Sequence, residues 1–169
     1  MLAAALLHSA GAAPRQSGRT ALAQAGEQYF IEFRARPSAL GHAYIVYGHL
    51  DATGQPTEIH YAGNQPSGGD AGAVLGAFVP VPGRIRAVPE DFKLRPTAVY
   101  HRRLTPTQYA HLKIAVARVR AREHTWHLFL YNCNDFAVEI AHSIGLISPP
   151  MPWLPPDVMV NGLRALNGP

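Results

Sequence analysis

Residues 98–108 read Ala98-Val99-Tyr100-His101-Arg102-Arg103-Leu104-Thr105-Pro106-Thr107-Gln108, and the texture of the chain changes inside them. As far as Leu104 the pattern is that of a strand, with β-branched and aromatic residues among polar ones. From Thr105 onward it is a helix start. Thr105 is placed as N-cap, Pro106 at the first helical position, and Gln108 completes a capping box. Leu112, Val116 and Val119 then fall on one helical face and the arginines fall off it, which predicts a helix to about Ala121.

On the N-terminal side the chain reads as strands. Tyr29 to Ala35 is near-alternating and aromatic, and Pro37 and Gly41 break it. His42 to Leu50 carries the strongest strand signal. Asp51 to Gln55 is turn chemistry, and Thr57 to Gly63 returns as the second arm of a hairpin. Residues 63–72, rich in glycine, are expected to form a long flexible loop. Val74 to Val81 and Ile85 to Val88 are short apolar runs split by Pro80, Pro82 and Gly83. On the C-terminal side, residues 124–130 read as a connector or short strand. Asn134 to Ile144 reads as a second helix closed by Gly145. Prolines 149, 150, 152, 155 and 156 then frame Trp153 and a short helix, Asp157 to Leu166. There is no internal repeat. Strands first and helices later predict an α+β fold, an antiparallel sheet packed against helices.

The chain has 169 residues, 47% hydrophobic and 15% charged, enough for one domain with a substantial core. Residues 1–26 are rich in Ala, Gly and Ser and are read as a leader, leaving a single domain over 27–169 with a Pro-rich tail. The apolar start and the small-x-small patterns at Ala10-Gly11-Ala12 and Ala23-Gln24-Ala25 suggest a signal peptide, although no Lys or Arg precedes the apolar run. With a signal the protein is expected to be periplasmic or secreted, with possible cell-envelope association; otherwise it is expected to be cytoplasmic. No other stretch approaches 18 apolar residues. The net charge of +4 is spread thinly, densest at Arg84/Arg86, Arg102/Arg103 and Arg118/Arg120/Arg122. No aromatic residues interleave with a basic stripe, so no nucleic-acid partner is expected.

Cys133 is the single cysteine, so it has no disulfide partner within the chain. It sits at the start of the second helix, in Tyr131-Asn132-Cys133-Asn134-Asp135-Phe136, where free N–H groups and the helix dipole favour a thiolate. The residue is either an inert buried thiol or a nucleophile served by a histidine from elsewhere. Of nine histidines, His42 stands out because it opens a strand directly after Gly41. If the hairpin turn centres near Thr53-Gly54, His42 falls roughly opposite Asn64 or Gln65, and His60 lies further along, nearer Tyr47. Either His60 or Asn64 is a candidate to orient His42. Asp135 is expected to cap the helix start. His124 and His127 lack further ligands at an ordered spacing, so no metal and no cofactor are expected. Trp126, Trp153 and Phe136 are read as core, and Tyr131 as packing beside a cleft.

The order Gly41-His42 opening a strand, a polar residue on the next strand, then Asn132-Cys133-x-x-Phe136 opening a C-terminal helix resembles the circularly permuted papain-like proteins. These include the NlpC-type permuted peptidases, lecithin:retinol acyltransferase-like enzymes and PPPDE-type isopeptidases. The resemblance covers roughly residues 29–146. It implies Cys133 as nucleophile, His42 as base and His60 or Asn64 as third member. Many members carry a histidine where this chain has Asp135. The expected function is that of a thiol-dependent hydrolase or acyltransferase acting on a peptide, amide or acyl substrate through a Cys133 acyl-enzyme. The alternative is an inactive binding or structural module on the same scaffold. A lipid-acting acyltransferase would show an exposed apolar patch beside the cleft, and Pro149 to Trp153 is the candidate for it.

Overall fold

The structure, a computed structural model, describes residues 28–122, 125–150 and 153–169. The leader expected over residues 1–26 lies outside these. The described chain is α+β, as the order of patterns predicts. Strands β1 (Gln28–Arg36), β2 (His42–Leu50), β3 (Pro56–Pro66), β4 (Val81–Arg86), β5 (Ala98–Leu104) and β6 (Thr125–Trp126) form one antiparallel sheet in the order β5-β1-β2-β3-β4-β6. Among the described residues five helices accompany it: α1 (Gly69–Leu75), α2 (Pro89–Lys93), α3 (Pro106–Ala121), α4 (Cys133–Ser143) and α5 (Pro156–Asn167).

The main core lies between one face of the sheet and helices α3, α4 and α5. Ile31, Phe33, Ala43, Ile45 and Ala62 supply the sheet side. Leu112, Val116, Phe136, Ile140, Met159 and Leu163 supply the helix side. These strand residues are two apart, as a pleated surface with one packed face requires. The intervening residues Phe30, Tyr44, Val46 and Leu50 form a smaller cluster on the other face. There α2 is tied down by Asp91, whose carboxylate accepts from the Arg36 guanidinium at 2.6 Å and from the Val88 N–H at 2.9 Å.

Helix α3 starts as its sequence directs. Gln108 N–H donates to Thr105 Oγ1 at 3.2 Å, and Thr105 N–H donates to Gln108 Oε1 at 3.0 Å. The expected flexible loop over residues 63–72 is instead two ordered elements. β3 runs on to Pro66 because β4 supplies the partners, Gly63 opposite Arg86 and Asn64 opposite Ile85. Gly68 and Gly69, at φ 86° and 60°, then turn the backbone into α1. The apolar run from Val74 is accordingly helical at its start.

Candidate active site

Cys133 is the first residue of α4, and the residues around it explain why a helix starts there. Asn132 Oδ1 accepts from the N–H groups of Asn134 at 2.7 Å and Asp135 at 3.3 Å. Asp135 Oδ2 in turn accepts from Asn132 N–H at 2.8 Å. The Asn-Cys-Asn-Asp run is therefore a capping box folded around the cysteine, with Asp135 in the capping role. Asn132 Nδ2 also donates to Leu128 O, and Asn134 Nδ2 donates to Leu154 O, both at 2.7 Å. The helix start is thus fixed to the segments on either side of it.

The N–H groups of Ala43, Cys133 and Asn134 are directed at the thiol and favour its ionised form, yet burial outweighs them. The Cys133 pKa is pushed up to about 11, with desolvation the largest cause and Asp135 adding to it. Cys133 as a residue is only 5% exposed. The lowered pKa expected from the helix start is therefore reversed: the dipole is present, but solvent that would stabilise a thiolate is not.

His42 opens β2 opposite Arg36 of β1. Gly41, at φ 72°, makes the turn into the strand and lets the Pro156 ring of α5 pack close, since a Cβ there would lie 2.9 Å from Pro156 Cδ. The imidazole stacks with the Tyr44 ring at 6.0 Å between centroids. It also lies over Gly63, where a Cβ would meet Nε2 at 2.7 Å. Gln65 Nε2 lies 2.6 Å from His42 Nε2. Burial, with the Arg36 charge adding to it, lowers the His42 pKa to about 3. The resting pair is consequently a neutral imidazole and a protonated thiol. The thiol meets the backbone N–H of Ala43, one residue past His42. Among the described residues no hydrogen bond joins the thiol to the imidazole.

Two cavities meet at Cys133. One, of about 310 Å³, is lined by Arg36, His42, Gln65, Asp70, Arg86 and Glu90 among others. The second, of about 200 Å³, is largely apolar and lined by Leu40, Leu128, Trp153 and Leu154 among others. Gly41, Trp126 and Cys133 belong to both. Trp153, read as core, is instead 51% exposed at the rim of the apolar cavity. Part of the Pro149 to Trp153 segment, residues 151 and 152, lies outside the described residues.

The structure brings Cys133 and His42 to one cavity and does not bring His60 there. His60 pairs across from Tyr47, five residues along β2 from His42, roughly 17 Å at strand spacing. Its ring is exposed and bonded to Glu58. Asn64 is fully buried but does not reach His42. Its Nδ2 donates to Asn132 O at 3.4 Å, and its Oδ1 has no partner among the described residues. Gln65 holds the imidazole instead. The hairpin register contained this information: Ile45 faces Ala62, so three residues further His42 faces Gln65. Directly opposed residues share a face, whereas Asn64 points to the other one.

Among the described residues no group of three or more His, Cys, Asp and Glu is arranged to hold a metal ion, and no helix is long and apolar enough to cross a membrane. Neither protein-family models, curated proteins nor solved structures give a match to the chain.

Proposed function

We propose that this protein is a thiol-dependent acyl-transfer enzyme, a hydrolase or acyltransferase, in which Cys133 attacks an amide or ester carbonyl and His42 is the base. The observation that carries the reading is the convergence of Cys133, His42 and Gln65 on one cavity, with the cysteine at a capped helix start. Gln65 supplies what a base needs behind it. As placed, Gln65 Nε2 faces the ring; a half-turn of the amide presents Oε1 in its stead, and the base role requires the oxygen. With Oε1 turned to the ring, Gln65 accepts from Nε2–H and leaves the Nδ1 lone pair for the thiol proton.

A neutral pair is the form a buried, dry site favours at rest. Charge then appears only as the reaction proceeds. The Cys133 sulfur bonds to the carbonyl carbon while its proton passes to His42, and the π electrons move onto the carbonyl oxygen. In this reading the N–H of Cys133 donates to that oxygen. The imidazolium returns the proton to the leaving group as the carbonyl re-forms. Water completes a hydrolase cycle, and another nucleophile completes a transferase cycle. Direct contact between sulfur and imidazole is supplied when substrate seats, since catalytic hydrogen bonds commonly tighten only in the complex.

The test is a stopped-flow reaction with p-nitrophenyl butyrate. A nitrophenolate burst of one per protein, absent in Cys133→Ala and slowed about 10²- to 10⁴-fold in His42→Ala, is expected. A burst that survives both substitutions would falsify the assignment. The absence of a thiol–imidazole bond favours a second reading, a binding module that keeps the scaffold. That reading predicts no burst and an equally slow thiol with and without His42.

A further inference from the structure

Trp126 is 3% exposed, and among the described residues its indole N–H has no hydrogen-bond partner. A buried indole N–H without an acceptor is costly, and such groups are commonly positioned for something that arrives later. The ring is held by packing, not by its polar atom. A Cβ on Gly76 would meet its Cε3 at 2.5 Å and Cζ3 at 2.6 Å, so that edge lies against the backbone following α1. Val81, Ala73 and Leu128 complete its apolar contacts. Nε1 is on the opposite edge of the indole. Trp126 and Cys133 both line the polar and the apolar cavity. The Trp126 side chain, which carries a buried donor without an acceptor among the described residues, thus lines the junction of the two cavities at Cys133.

Resting on that acyl-transfer reading, we propose that the Trp126 indole N–H is the second donor, beside the Cys133 N–H, to the acyl oxygen of an apolar acyl group seated in the 200 Å³ cavity. The indole makes the stronger of its two possible bonds only when the oxygen becomes an oxyanion, which is the condition for lowering a barrier and not merely tightening binding. The walls of Leu40, Leu128 and Leu154 carry no charge, so the acyl chain entering there is aliphatic and uncharged. In the acylation step the S–C bond forms, the ester C–O bond breaks, nitrophenolate leaves with that electron pair, and the thiol proton resides on His42.

Trp126→Phe keeps the ring and removes the donor. With p-nitrophenyl hexanoate its acylation rate should fall about 10²- to 10³-fold, the usual loss for one oxyanion donor. Alkylation of Cys133 by iodoacetamide is the reference reaction, since displacement of iodide builds no charge on a carbonyl oxygen. Its rate should stay within about twofold of the parent. An equal fall in both reactions would make Trp126 a packing residue, and no fall in either would remove its role. Hexanoate should acylate the parent at least tenfold faster than acetate; equal rates overturn the apolar seat. Should Trp126→Phe fail to fold, the parent labelled with [15N]tryptophan gives the answer. Butyraldehyde forms a thiohemiacetal whose oxygen occupies the same place, and it should move one indole resonance downfield in the parent and not in Cys133→Ala. A thiohemiacetal that forms without that shift overturns the donor role while leaving the acyl-transfer reading intact. A parent that shows neither burst nor thiohemiacetal overturns both.

Discussion

His42 should make the protein lose stability between pH 7 and pH 5, and His42→Gln should remove most of that loss. The imidazole has an ordinary pKa of 6.5, and burial, assisted by the charge of Arg36, lowers it to about 3 in the folded chain. The folded state therefore binds fewer protons than the unfolded state between those values. Stability rises with pH across that window and is lost as the pH falls through it. At pH 7 the unfolded imidazole is mostly neutral and the difference is small. At pH 5 it is protonated while the folded one is not, and the linkage costs about 2 kcal/mol at 1.36 kcal/mol per pKa unit. For a chain of this size that is a fall in Tm of about 4–8 °C, or about 1 M in urea midpoint. Urea titrations of parent and His42→Gln at both pH values isolate the effect, because the remaining histidines and carboxylates are common to the two proteins. The imidazole carbon and proton resonances of His42 should also stay at their neutral positions down to pH 4.5. If parent and variant lose the same stability to within about 0.5 kcal/mol, or if the His42 resonances titrate near 6.5, the imidazole is solvated and the neutral resting pair is wrong.

The thiol shifts the other way. With its pKa raised to about 11, Cys133 alkylation by iodoacetamide should keep accelerating above pH 9, and stability should fall as pH rises from 9 toward 11; a rate plateau below pH 9 would contradict the burial argument. Gly63→Ala should push the imidazole by several tenths of an ångström, because the new Cβ would start 2.7 Å from Nε2, and should slow the ester burst about 10- to 100-fold. Parent-like kinetics in that variant would show that the ring position is not critical. Asp91→Ala strands the Arg36 guanidinium in the interior and should cost about 3–5 kcal/mol in urea unfolding, against well under 1 kcal/mol if the pair were solvated. Asn132→Ala leaves the N–H groups of Asn134 and Asp135 without their acceptor and should cost about 0.5–2 kcal/mol; no change would mean that water replaces the cap without loss.

The elements most legible in the sequence are those whose signals are local. The capping box at Thr105 to Gln108 and the strand signal of His42 to Leu50 rest on near neighbours, and both elements are present in the fold. Asp135 as a cap belongs to the same class. Residues 63–72 depart from the loop their sequence suggests because what orders them is not local. Their glycines suggest a loop, and only the pairing with β4, some twenty residues on, makes Gly63 to Pro66 a strand.

The site divides along the same line. The sequence by itself determined that Cys133 opens a helix and that His42 opens a strand, since periodicity and caps depend on spacing alone. It also contained the register that places Gln65 opposite His42, one residue from the candidate Asn64. Only the tertiary structure decided that Gln65 and not Asn64 holds the imidazole, and that Trp126, with an unpaired donor among the described residues, lines the same cavities as Cys133. It also decided the sign of the thiol shift. A helix dipole is written in local sequence, but desolvation is the sum of everything packed around the sulfur, and here it is the larger effect.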